Sequence, residues 1–218
     1  MSLAARLKSD TASLHRLAER HPMQRAMMTG RLELDQYRRY LEQVYFIHAG
    51  IGVAWSGMRT ELREGFERPG QIRSAALYDL SELGSSPESV TIRGAVSRFL
   101  GKLVDDSSKS VAVIGARYVF EGACNGGVFI GRAMQKGYRE QCPPIRHLNP
   151  YGDEQAVQWQ AFRSWLDSAR LAADESDAIV GMAIQTFQCF VLLMEEVWNT
   201  TSSSPTYTHE TCGENHGV

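Results

Sequence analysis

An excess of basic charge is missing from this sequence. Its 23 Lys and Arg residues are set against 25 Asp and Glu, for a formal charge of −2, and no basic stripe is present, so a nucleic-acid-binding surface is not expected. The first ten residues, Met1 to Asp10, have no apolar core ahead of Arg6 and Lys8, so no secretory leader is expected. The strongest apolar stretch, Phe187 to Met194, is short for a bilayer, which leads to the expectation of no membrane association and a cytoplasmic setting. Only four cysteines occur (Cys124, Cys142, Cys189, Cys212), and none forms a CxxC or a zinc spacing; buried, reduced thiols are expected. No Glu-x-x-His pair occurs, which argues against a di-iron carboxylate bundle. Alternation of apolar and polar residues is also lacking, so strands are not expected, and there is no internal repeat.

What is present is a helical apolar period. Leu34, Tyr37, Leu41, Val44, His48, Ile51, Trp55 and Met58 follow the three-four spacing that lines one face of a long helix. Trp159, Phe162, Leu166, Ala169 and Ala173 repeat it, as do Ile179, Ala183, Phe187, Phe190, Met194 and Val197. Pro22 divides the first helical region in two, and Gly30 ends it. Ser86-Pro87 reads as a helix start with proline at the first position. Cys142-Pro143-Pro144 through Asn149-Pro150 reads as an extended connection, and Asp153 and Asp174 are candidate caps for the last two helices. The expected fold is all-α: one domain over residues 1–200 with six to eight helices. Residues 201–218, rich in Ser, Thr, Pro and Gly, are expected to form a disordered tail.

One segment conflicts with its own helical period. Residues 108–137 carry Val111, Ile114, Tyr118, Phe129 and Ala133 at helical spacing, yet contain Gly122, Gly126, Gly127 and Gly131. Each interior glycine costs about 1 kcal/mol relative to alanine, so the four cost on the order of 4 kcal/mol. No charge occurs between Glu121 and Arg132, so the stretch is expected to be buried. Either small residues let another helix cross closely, or bare backbone is brought against a large flat ligand that side chains would exclude.

The first helix carries Lys8, His15 and Glu19 at offsets of seven and four, close to one face. An imidazole so placed can bind haem iron through Nε2, a carboxylate one turn on can orient the ring, and the lysine can reach a haem propionate. Three such residues can equally be a solvated helix face.

Together, Leu14-His15-Arg16-Leu17-Ala18-Glu19 and Tyr118-Val119-Phe120-Glu121-Gly122-Ala123-Cys124-Asn125-Gly126-Gly127 resemble the proximal and distal helices of heme oxygenases, particularly the bacterial ones. Asp79 to Gly84, Pro150-Tyr151-Gly152-Asp153, and the last helix with Thr186-Phe187 and Val197-Trp198 add to the resemblance, which covers roughly residues 3–200. It implies a multi-helix bundle with haem between a proximal helix and a kinked distal helix. His15 would be the iron ligand. Lys8, Glu19, Gly122, Gly126, Gly127, Arg117 and Arg163 would contact or support haem, with Gly122 and Gly126 keeping the O₂ side open.

The implied activity is haem cleavage by O₂ and electrons to biliverdin, CO and Fe²⁺. Its partners would be a ferredoxin or flavoprotein reductase and, downstream, a bilin-using photoreceptor. Ala123 stands where some relatives carry an acidic or hydroxyl residue, which leaves a haem carrier or sensor as an alternative. A thiaminase-like enzyme or di-iron oxidase of the same superfamily is another.

Overall fold

The computed structural model describes residues 2–64, 66, 70–105 and 111–200. The expected tail at 201–218 lies outside the described residues. Within them the chain is helical throughout and contains no strand.

Helix α1 (Leu3–Glu19) starts where the Ser2 hydroxyl accepts a hydrogen bond from the Ala5 amide. Proline at the first position opens α2 (Pro22–Met28), as Pro22 required, and Gly30 takes a positive φ just after it. Helix α3 (Leu34–Ser56) is followed by the single turn α4 (Thr60–Arg63) and by α5 (Gln71–Glu82), α6 (Gly94–Asp105) and α7 (Val113–Tyr138). Helices α8 (Gln155–Ser168) and α9 (Ala173–Asn199) complete the bundle.

Three boundaries differ from the expected ones. Pro87–Ser89 makes one 3-10 turn instead of starting an α-helix. The 139–154 connection is less extended than its prolines suggested, with short 3-10 turns at Arg139–Gln141, Arg146–His147–Leu148 and Gly152–Glu154. Neither Asp153 nor Asp174 caps a helix: α8 is preceded by Glu154, and at α9 the Glu175 carboxylate accepts from the Ala172 amide at 2.9 Å.

Helix α9 forms the centre of the bundle. By length and composition it could cross a membrane, a reading that the shorter apolar run Phe187–Met194 did not suggest, but half of its apolar window is buried inside the bundle. Ile179, Ala183, Leu193, Met194 and Val197 are fully enclosed, and α1, α3, α6 and α7 all pack on it. Helix α1 runs alongside in the same direction, with Arg6 paired to Asp177 at 2.7 Å, the His15 ring against Phe187, and His21 Nε2 3.0 Å from Glu195. Helix α7 also runs parallel to α9. Gly115 lies so close to it that a Cβ would overlap the Ile179 carbonyl, and further along Phe120 meets Phe190.

The core is unusually polar on the inner side of α7. Asp79 Oδ2 is 2.8 Å from both the backbone nitrogen and Nδ1 of His147, and thereby ties the 139–154 connection to α5. His48 lies beside Phe120, with ring centroids 4.5 Å apart. Burial, with smaller contributions from His147 and Arg117, pushes its pKa down to about 3. The folded protein thus binds this proton less tightly than the unfolded chain. The associated stability is complete above the ordinary pKa of about 6.5 and is lost as pH falls toward 3. Between pH 6 and 4 this one group should remove about 1.4 kcal/mol per pH unit. In urea titrations at several pH values, His48→Gln should flatten the acid limb by that slope.

Candidate functional site

The buried stripe of α1 is Ala4, Leu7, Thr11 and Ala18. At about 100° per residue, His15, Lys8 and Glu19 fall together on one flank of it, roughly 40–100° from its centre. All three are exposed. The His15 side chain is 57% exposed, and its Nδ1 lies 3.5 Å from Glu19 Oε2. That separation is long for a hydrogen bond, but it directs the Nδ1 edge of the ring at the carboxylate and leaves Nε2 for another partner. Beneath the ring, Phe187 of α9 makes an edge contact at 5.7 Å between centroids.

Helix α7 runs through its glycines without a break, and they serve different ends. Gly115, Gly122, Gly126, Phe129 and Ala133 lie within roughly 40° of one line along the helix. At Gly115 that line is pressed against α9. At Gly122 an added Cβ would be 3.4 Å from the Trp159 ring of α8, and at Gly126 it would meet nothing within 4 Å. Beyond Gly115 this line no longer meets α9. The α9 stripe Ile179–Ala183–Phe187 approaches α7 with its first two members and carries the His15 ring on the third. His15 thus stands on the α1 side of Phe187, and Gly122 and the open Gly126 stand on the α7 line that passes Trp159.

The uncharged stretch after Glu121 is thus only half buried. Cys124, Gly127 and Gly131 face the core, while Ala123, Gly126 and Phe129 are exposed. Phe129 in particular is 70% exposed, contrary to the burial expected from its spacing. Gly127 also departs from its expected role at a ligand. It points away from the line of Gly122 and Gly126, and a Cβ there would overlap the Leu148 carbonyl. The packing reading of the glycine cluster therefore holds for Gly127, while Gly126 is left open.

Arg117 is likewise a core residue and not part of a ligand rim. It is 3% exposed, its Nε donates to Glu121 Oε1 at 3.1 Å, and its guanidinium lies over Trp55 and Phe66 at 4.3 and 4.4 Å. The Tyr151 hydroxyl donates to the same carboxylate oxygen at 3.0 Å. Burial raises the Glu121 pKa and lowers that of Arg117. Truncating either partner of such a pair strands a buried charge, which is why these pairs are typically costly to break, at about 3–5 kcal/mol. Arg163 is exposed on α8, 5.9 Å from the Trp159 ring. Trp159 and Phe187 enter the sequence reading through helical stripes and the family resemblance, with no site role. Their contacts with Gly122 and His15 join residues distant in sequence.

Two other chemistries can be weighed on geometry. Burial pushes the Cys124 thiol well above its ordinary range, the opposite of what an activated nucleophile needs. Among the described residues no three His, Cys, Asp or Glu side chains converge in a way that could hold a metal ion.

This all-helical bundle has the heme oxygenase fold. The heme oxygenase of Leptospira interrogans superposes with a TM-score of 0.78 at 22% identity, covering 90% of this chain and 100% of its own. A heme oxygenase of the cyanobacterium Synechocystis, solved in complex with heme, superposes at 0.75 with 18% identity, covering 93% and 96%. A TenA homologue from Pyrococcus furiosus shares the fold at 0.68 and 12% identity, covering 89% and 99%. No curated protein matches the chain in sequence. The sequence model of the heme oxygenase family matches residues 1–196, and the chain belongs to that family.

Proposed function

We propose that this protein binds haem in a groove between α1 and α7, with His15 as the iron ligand, and degrades it to biliverdin, CO and Fe²⁺. The observation that carries the proposal is an exposed, carboxylate-directed histidine on α1, in a chain whose α7 carries an exposed glycine that meets nothing within 4 Å. The residues fit the group: a flat macrocycle needs one nitrogen donor, an apolar floor and a wall without side chains, and His15, Phe187 and Gly126 supply them. When bound, haem is both the substrate and the site of O₂ activation.

The chain's part is binding, orientation and exclusion. Glu19 faces His15 Nδ1 and would orient the ring so that Nε2 is left to hold the iron. Gly126 leaves room for a diatomic ligand. Lys8 and Arg163, both exposed, are suited to the propionates. Ala123 is exposed and brings no polar side-chain atom to α7, so a proton used beside a bound haem would have to come from another group or from solvent. Electrons come from a ferredoxin or flavoprotein reductase, in a cytoplasmic setting, and the bilin product suits a downstream photoreceptor.

A haem carrier without turnover is the second reading, favoured by the same alanine. Anaerobic haem titration followed by reductant and air separates the two. A bilin absorption band supports the oxygenase, and persistent haem absorption supports the carrier. Glu19→Gln is expected to lower haem affinity or turnover by about ten- to a hundredfold. Wild-type values for both would make Glu19 a solvated carboxylate.

A further inference from the structure

We infer that Phe129 closes the outer edge of the groove over bound haem and governs how fast haem leaves. The inference rests on the haem reading above and concerns the same groove. Phe129 lies on the line through Gly122 and Gly126, one turn beyond the glycine that meets nothing within 4 Å. Its ring is thus exposed on the same face of α7 as the open backbone of Gly126. It is 70% exposed although Ile130, beside it, is partly buried against the core. It is also the last large apolar side chain on this face before the helix turns charged at exposed Arg132 and Lys136. A phenyl ring held in water at the end of an apolar groove gains by covering the edge of an apolar macrocycle, and it loses no packing in the empty protein.

The test is haem release from the intact protein to excess apomyoglobin, together with melting of the haem-free form. Phe129→Ala should release haem on the order of tenfold faster, the effect of exposing a half-buried phenyl ring. Phe129→Trp should release it no faster than wild type. The haem-free melting temperature should stay within about 2 °C of wild type, because no buried contact is lost. Release within about twofold of wild type from Phe129→Ala, with haem still ligated by His15, would overturn the role of Phe129 and leave the haem reading intact. A melting temperature lowered by more than about 4 °C would make Phe129 a packing residue and overturn it as well. A wild-type protein that takes up no haem would sink both readings together.

Discussion

Replacing His15 with alanine is expected to abolish the low-spin spectrum of the haem complex, and added imidazole should restore it. The basis is the isolation of His15. Among the described histidines, His21 is buried and held by Glu195 and the Met23 amide, His147 is buried and held by Asp79, and His48 is enclosed beside Phe120. None of them is available to a ligand in the groove. Because the His15 side chain is 57% exposed and touches the core mainly through the edge of Phe187, its loss should change stability by no more than about 0.5 kcal/mol. Alanine also favours the helix slightly. The spectrum should therefore collapse while the haem-free melting curve remains in place. A folded His15→Ala protein with an unaltered haem spectrum would remove His15 as the ligand.

Adjacent glycines should respond to the same substitution with opposite signs. Gly126→Ala adds a methyl to open space in a helix interior and should stabilise the haem-free protein by about 1 kcal/mol, raising its melting temperature by roughly 2–4 °C. Gly127→Ala drives a methyl into the Leu148 carbonyl. The obstacle is backbone, so it cannot rotate away, and the cost should be at least about 1–3 kcal/mol, seen as a lower melting temperature or poor folding. Gly126→Leu completes the set: it should melt normally without haem but bind haem weakly or oxygenate it poorly. Equal destabilisation by both alanine variants would mean that Gly126 is also a packing glycine. A normal bilin yield from Gly126→Leu, with haem bound through His15, would remove the open wall from the site.

How far the sequence could be read depended on whether a residue's environment came from its own helix. Pro22 and Gly30 punctuate the first helical region as expected, because proline's ring and glycine's positive φ act locally. The helical period likewise located α3 and α9. The flank shared by Lys8, His15 and Glu19 is simple periodicity, and the structure keeps it. Arg117 lies in the core and not at a ligand rim because what buries it, the rings of Trp55 and Phe66, is some fifty to sixty residues away in sequence; Glu121 at i+4 is the only local sign of an internal pair. The uncharged run after Glu121 was read as uniformly buried because composition does not say which face of a helix has a neighbour. The caps at α8 and α9 were missed for a related reason: Glu175 acts from inside the first turn, where an acidic residue looks like ordinary helix.

The contact at Gly115 acts as a pivot. Gly126 lies eleven residues further along α7, a lever arm of about 16 Å at 1.5 Å per residue, and a change of only about 5° in how α7 crosses α9 would move Gly126 by roughly 1.4 Å. The position of Gly126 is therefore set in part at a distant point, where two backbones approach closely and no side chain intervenes. An added methyl at Gly115 would act like a wedge driven in at the hinge of a pair of shears, displacing the blades most at their tips.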